Sequence, residues 1–169
     1  MLDTAGSPVT VFHGLPVEAI AAYANGRFAN VTAAREAFPH ALVLEIDVSG
    51  QGIGHAGDFE AGDMPYGEAG PWAKRRIAAG VKRPVIYCSV SSWPQVSASL
   101  RASGLSRADV RLWTAHYDGR PHLCSSACNA ELTEPADATQ WGSADAPGTL
   151  PEPYAGRNLD VSETGPAFW

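Results

Sequence analysis

Short apolar runs alternate with helix-like segments along most of this 169-residue chain. Residues 41–48 and 84–89 are runs of the length and composition typical of buried strands. The segments between such runs carry apolar residues at helical spacing and end at glycines. This alternation predicts an α/β architecture with a mostly parallel sheet. The length fits one domain over residues 1–169.

The strand and helix predictions follow from the same pattern. Strands are predicted at residues 10–12, 41–48, 57–60, 84–89, 110–116, 138–141 and 158–161. Helices are predicted at residues 16–23, 32–38, 70–80 and 92–103. Pro16 suits a first helical turn, and Gly80 and Gly104 suit helix ends. From residue 130 onward, proline-rich stretches predict long ordered loops of the kind that form functional rims.

The charge balance limits the partners of the chain. It has 12 Lys and Arg against 18 Asp and Glu, a net charge of -6, and lacks the basic surface that nucleic-acid binding requires. No run approaches the ~20 apolar residues of a membrane span. Residues 1–8 have neither a basic start nor an apolar stretch, so no secretory signal is predicted. A protein acting outside the cytoplasm would then need another means of release.

The three cysteines leave two interpretations open. Cys124 and Cys128 are close enough in sequence to close a small disulfide loop. Together with His122 they also fit part of a metal site of the form His-x-Cys-x-x-x-Cys, but a clear fourth ligand is lacking. We therefore predict no metal and no cofactor. Cys88, inside an apolar run, is predicted to be a buried free thiol.

Asp58 and Glu60 form the most suggestive pair of side chains in the chain. Two residues apart on a short predicted strand, they would point to the same face with Cα atoms about 7 Å apart. The pKa values of two acids held together separate, leaving one as an acid and the other as a base or stabiliser. Glycosidic bond cleavage needs such a pair. Taken alone, the pattern is more typical of a solvated acidic turn than of a catalytic site.

Polar and aromatic residues follow strand after strand. Ligands of parallel α/β folds bind at the carboxyl ends of the strands. The residues predicted at those ends are Asp58, Glu60, Tyr87, Ser89, Trp113, His116, Tyr117, Gln140, Trp141 and Asp160. Aromatic faces stack on sugar rings, and amides and acids bind hydroxyls, so the mixture suits a glycan cleft. Each aromatic residue taken singly also suits core packing.

Four motifs resemble the successive strand motifs of glycoside hydrolase family 25, the lysozyme-like family, and they occur along the chain in the same order. They are residues 83–89, 112–117, 138–141 and 158–160, and Asp58-Phe59-Glu60 falls where that family carries its D-x-E. More narrowly, the chain resembles a compact form of this domain found in actinobacteria and their bacteriophages, often within endolysins. The resemblance covers most of the chain from Asp58 onward and is weaker before it.

The resemblance implies a modified or trimmed (β/α) TIM-like barrel that cleaves peptidoglycan between N-acetylmuramic acid and N-acetylglucosamine. Glu60 would be the general acid, and Asp58 would stabilise an oxocarbenium-like centre or a cyclised N-acetyl intermediate. Asp160 and Asp3 would match acids of the last and first strands. The first strand of the family usually reads Asp-x-Ser with a glutamine shortly after, where this chain has Asp3-Thr4-Ala5. The residues expected to bind the glycan are Tyr87, Trp113, His116, Tyr117, Gln140 and Trp141.

Three functions are compatible with these observations. The first is a muramidase, with peptidoglycan or another glycan as partner. The second is a catalytically silent relative that serves as a glycan-binding or virion structural module. The third is a metal-dependent amidase or deacetylase, although His13, His55, His116 and His122 have no recognised ligand spacing. The first two imply action at the bacterial cell wall, by a phage-encoded or otherwise released protein, with a wall-binding domain or virion proteins as partners.

Overall fold

The computed structural model describes all 169 residues and contains a closed barrel of eight strands. The strands are β1 (Leu2–Asp3), β2 (Ala19–Tyr23), β3 (Leu42–Asp47), β4 (Ala56–Asp58), β5 (Val85–Ser89), β6 (Arg111–Ala115), β7 (Ala138–Ser143) and β8 (Asp160–Thr164). The α-helices are α1 (Val31–Ala37), α2 (Ala69–Ala78) and α3 (Trp93–Ala102). The predicted fold class, a modified TIM-like barrel of mostly parallel strands, is confirmed.

The last strand runs against its neighbours. Strands β1 to β7 pair in parallel in chain order, whereas β8 pairs antiparallel with both β7 and β1 and so closes the barrel. The first residue of β8 therefore lies at the same end of the barrel as the last residues of the parallel strands. In the register, Asp160 is opposite Asp3 on one side and Ser143 on the other.

Strand alternation divides the core into an inner and an outer part. On β5, Val85 and Tyr87 belong to the cluster that fills the barrel, together with Leu44, Trp113 and Phe168. The intervening Ile86 and Cys88 belong to a cluster between the barrel wall and the helices α2 and α3. This is the period of two expected of a barrel strand with both faces covered.

Only three of the connections contain α-helices, so the barrel is trimmed relative to one with a helix after every strand. Helices α2 and α3 lie close together at Gly70, whose backbone N–H donates to Ser99 Oγ at 3.0 Å. A Cβ at Gly70 would lie 2.3 Å from the Ser99 carbonyl oxygen, so only glycine permits this approach. None of the helices is both long and apolar enough to span a bilayer.

Two predictions before Asp58 are wrong. Residues 10–12, predicted as a strand, belong to a 3₁₀ turn, Val9–Phe12. Residues 16–23, predicted as a helix, contain strand β2, whose sequence AIAAY favours a helix by propensity. Burial between β1 and β3 overrides that preference. The first strand was not predicted, because two residues, Leu2–Asp3, are too short to show a period.

Candidate active site

Four acidic residues come together at the carboxyl end of the parallel strands. Asp3 ends β1, Asp58 ends β4, and Asp160 begins β8 opposite Asp3. Asp58, Glu60 and Asp160 line one open cavity of about 510 Å³. Asp3 is buried behind Asp160 and is not in the lining. The structure thus brings the four predicted acids into one group.

The residue between the two acids of the D-x-E pair anchors them. Phe59 is fully buried outside the barrel and packs edge-to-face on Trp72, with ring centroids 5.8 Å apart. Its backbone N–H donates to the Tyr87 carbonyl at 2.9 Å and extends the sheet beyond the end of β4. Because neighbouring residues on an extended chain face opposite ways, Asp58 and Glu60 both face the cavity.

Burial and crowding of like charges raise the pKa values of both acids. Burial, followed by the charges of Asp63 and Asp160, raises the pKa of Glu60 to about 7. Burial, followed by Glu60 and Asp63, raises the pKa of Asp58 well above its usual value. Glu60 therefore changes protonation state near neutral pH, as a general acid must. For the deeper Asp58, too, the same two causes favour the protonated form.

Asp3 and Asp160 form a second carboxyl pair. Burial, followed by the charge of Asp160, raises the pKa of Asp3 well above its usual value. Burial also raises the pKa of Asp160, against the opposing hydrogen bonds of Ser143 and the Ala144 N–H. Asp3 Oδ2 and Asp58 Oδ1 are buried without a hydrogen-bond partner. Such atoms are free to bind a ligand or water.

Aromatic rings and an amide complete the lining of the cavity. Tyr87 donates its hydroxyl hydrogen to Gln140 Oε1, which fixes the orientation of both side chains. Tyr117 is 40% exposed at the rim. Arg27, with its guanidinium 5.4 Å from the ring centroid of Phe28, is the only Lys or Arg in the lining. The wall therefore suits a neutral polyhydroxylated ligand better than a phosphate.

Three of the residues expected to bind the glycan line this cavity, namely Tyr87, Tyr117 and Gln140. The structure does not bring the other three into it. Trp113 lies deeper in the barrel beneath Tyr87, with ring centroids 4.4 Å apart and its indole N–H donating to Ser162 Oγ. Trp141 faces outward against Tyr154 because its neighbour Gln140 faces inward. His116 lies in the β6–β7 loop against His122.

The sequence predictions missed Tyr23 and Asp47. Tyr23 ends β2 and lines the cavity, but its segment was predicted to be helical. Asp47 ends β3 and is fully buried. Although burial opposes it, hydrogen bonds from Asn25, the Trp72 indole and loop N–H groups lower the pKa of Asp47 to about 2. The expectation that functional side chains lie at the carboxyl ends of parallel strands, applied to β3, would have identified Asp47. Its side chain holds Asn25 and the loop at residues 49–53 on the cavity rim.

The chain matches no family model, no curated protein and no solved structure in the comparisons made. Its chemistry is therefore argued from the cavity itself. The pKa of one carboxyl group is raised to about 7, that of a second, deeper one is also raised, and the same cavity is lined by aromatic rings and an amide. This arrangement can donate a proton to a leaving oxygen and then recover it from water.

Proposed function

We propose that this protein is a lysozyme-like glycoside hydrolase that cleaves the glycan strands of peptidoglycan, with Glu60 as the general acid. The single observation that best supports the proposal is the position of Glu60 on an open cavity, two residues from Asp58, with its pKa raised to about 7. Proximity to neutral pH lets one carboxyl act as an acid and then as a base. The choice of peptidoglycan as the substrate comes from the strand motifs that resemble family 25.

In the first step, the Glu60 carboxyl transfers its proton to the glycosidic oxygen as the bond between that oxygen and the anomeric carbon breaks. Burial and the neighbouring Glu60 raise the pKa of Asp58 and so disfavour its charged form as a nucleophile. The acetamido oxygen of the sugar attacks the anomeric carbon instead. Asp58 Oδ1, which has no other partner, would accept the acetamido N–H. In the second step, the Glu60 carboxylate takes a proton from the water that opens the cyclised intermediate.

The side chains that line the cavity favour a sugar polymer as the ligand. Tyr23, Phe28 and Tyr117 offer aromatic surface, and the Gln140 side chain offers polar groups for hydroxyls. An open cavity of about 510 Å³ lies within the range of ligand-binding clefts. Such a protein would act at the bacterial cell wall, as a phage-encoded or otherwise released protein with a wall-binding domain or virion proteins as partners.

The test is the loss of wall cleavage in Glu60→Gln. Release of reducing ends from purified cell walls should fall by about 10²–10⁴-fold, because the amide cannot donate the proton. Glu36→Gln, which changes an exposed glutamate on α1, is the matched control and should keep full activity. Circular dichroism and thermal melting establish that both variants are folded. Full activity of Glu60→Gln would overturn the assignment of the acid.

A catalytically silent glycan-binding or structural module is the second candidate. It is favoured by the first strand, where Asp3-Thr4-Ala5 departs from the family pattern and Asp3 is buried outside the cavity lining. Calorimetric titration with soluble muropeptides, run beside the turnover assay on the same preparation, separates the two candidates. Binding without cleavage by the wild-type protein would favour the silent module.

The metal-dependent amidase or deacetylase has less support. His13 and His55 are exposed, and none of the four histidines considered for it lines the acidic cavity. Only His116 and His122 are neighbours, and they lie in the β6–β7 loop. A metal held there would not face the carboxyl groups.

A further inference from the structure

A second group of reactive side chains lies outside the acidic cavity, in the loop between β6 and β7. His116, His122, Cys124 and Cys128 each offer one ligand atom, and these atoms all lie within 4.8 Å of one another. None of the four lines the acidic cavity. We propose that this His₂Cys₂ cluster is a structural zinc site. The proposal is independent of the function assigned to the carboxyl groups.

The distances between ligand atoms fit a tetrahedral metal. His116 Nδ1 lies 3.0 Å from His122 Nε2, and His122 Nε2 lies 3.6 Å from Cys124 Sγ. Zinc bonds of about 2.0–2.1 Å to nitrogen and 2.3 Å to sulfur require edges of about 3.3 Å between two nitrogens and 3.6 Å between nitrogen and sulfur. The cluster therefore needs only a small adjustment to hold the ion, and its set of two sulfurs and two nitrogens is one that zinc prefers.

The protonation of His122 is fixed by its outer contacts. Its Nδ1 lies 2.8 Å from the Arg120 carbonyl oxygen, which can only accept a hydrogen bond, so Nδ1 carries the proton. The Nε2 lone pair then points at His116 and Cys124. Asp118 Oδ1, at 3.3 Å from Nδ1, adds a carboxylate on the same outer side. A carbonyl or carboxylate behind the distal nitrogen is the usual support of a metal-binding histidine.

Backbone hydrogen bonds hold the ligands in place. The His116 N–H donates to the Gln140 carbonyl at 2.9 Å, and the Cys124 N–H donates to Thr139 Oγ1 at 2.8 Å. The Cys128 N–H donates to the Ser125 carbonyl at 2.9 Å, which closes a turn between the two cysteines. Both cysteines are free thiols rather than a disulfide. These bonds tether the loop that carries the cluster to strand β7.

The position of the cluster explains what the ion would do. Residues 116–137 contain no helix or strand, and loops of that length without regular structure need other support. Four protein ligands leave no open coordination position, so the site is structural rather than catalytic. The cluster also fixes His116, next to Tyr117 on the rim of the acidic cavity.

The first experiment measures metal content of the untagged full-length protein by plasma mass spectrometry after gel filtration. We expect about one zinc per chain. Cys128→Ser and His116→Asn should each lower the zinc content at least tenfold. Cys88→Ala, which removes the one cysteine that is not among the four proposed ligands, should leave it unchanged. Cobalt-substituted wild-type protein should show the visible bands of tetrahedral coordination with thiolate charge transfer, and Cys128→Ser should lose them.

A milder variant guards against loss of the fold. Asp118→Asn should weaken zinc binding about tenfold in competition with a chromogenic chelator, while circular dichroism stays that of the wild type. Less than about 0.1 zinc per chain in the wild-type protein would overturn the proposal. So would another metal in place of zinc, or a Cys124–Cys128 disulfide, seen as a mass 2 Da lower and one free thiol instead of three.

Discussion

Glu60 is the carboxyl group of the cavity whose pKa is raised to about 7. Burial is the first cause of its raised pKa, and the charges of Asp63 and Asp160 add to it. Asp63 is exposed and lies on the turn that follows Glu60, so it can be changed without disturbing the barrel. The contribution of one neighbour to the proton affinity of Glu60 is therefore measurable.

Asp63→Asn should lower the pKa of Glu60 by about half a unit to one unit, because it removes a negative charge that disfavours the carboxylate. Carbon NMR of the side-chain carboxyl groups measures the shift directly. In the wall-cleavage assay, the alkaline limb of the pH profile should move to lower pH by the same amount. Glu68→Gln, a change at an exposed carboxylate outside the cavity, is the control. An unchanged Glu60 titration in Asp63→Asn would contradict this account.

Part of this site could be predicted from the sequence, because ligands of parallel α/β folds bind at the carboxyl ends of the strands. Tyr87, Tyr117 and Gln140 were reachable because the carboxyl ends of parallel strands share one edge. Trp141 illustrates the limit: it adjoins Gln140, and nothing in a strand that is buried on both faces tells which of two neighbours points inward. His116 illustrates another limit, since its partners His122 and Cys124 are brought to it by the loop and not by strand order.

Among the secondary-structure elements, the predictions succeeded where a segment had one strong pattern. Helices α2 and α3 were predicted within two residues of their observed bounds, because glycines end their periodic segments. The helix predicted over residues 16–23 was wrong, because alanine favours helices by propensity. Only the neighbouring strands of the barrel override that preference. The contact between α2 and α3 could not be predicted from either helix alone.

Gly70→Ala should destabilise the protein by about 1–3 kcal/mol, although alanine favours a helix over glycine. The added Cβ would lie 2.3 Å from both the Ser99 carbonyl oxygen and Ser103 Oγ, forcing α2 away from α3. Urea unfolding followed by circular dichroism measures the change. Gly67→Ala is the matched control, since nothing lies within 4 Å of its added Cβ, and it should be close to neutral. Equal stability of the two variants would contradict the tight helix contact.

The closure of the barrel joins the two ends of the chain at the site. Because β8 runs antiparallel to β1 and β7, its first residue, Asp160, reaches the same end as Asp3. The resemblance implied that both acids belong to the site, but the sequence does not carry the direction of a strand, so their antiparallel pairing is seen only in the structure. Its consequence is a group of four carboxyl groups partly or wholly removed from water, which the whole fold has to hold together.

Such a group makes the stability of the fold depend on pH. The folded protein binds a proton at Glu60 more tightly than the unfolded chain does, because burial raises its pKa from 4.5 to about 7. Between those values the folded state holds more protons than the unfolded state, so the free energy of unfolding decreases as pH rises. Asp3, Asp58 and Asp160, whose pKa values are also raised, act in the same direction. The fold should therefore be more stable in mild acid than at pH 8.

Glu60→Gln removes one of these groups and should stabilise the protein at pH 8 by about 2 kcal/mol, less than the full shift implies because Glu60 is partly exposed. At pH 4 the gain should nearly vanish, since the wild-type carboxyl is then mostly protonated in both states. Urea unfolding of both proteins across this pH range gives the difference at each pH, and a contribution common to both, such as proton competition at the His₂Cys₂ cluster, cancels. Glu36→Gln should show no such pH-dependent gain. If Glu60→Gln were less stable than the wild type at pH 8, the charge of the Glu60 carboxylate would be stabilised by other groups in the fold. The destabilisation expected from burying that charge at an acid site would then be absent.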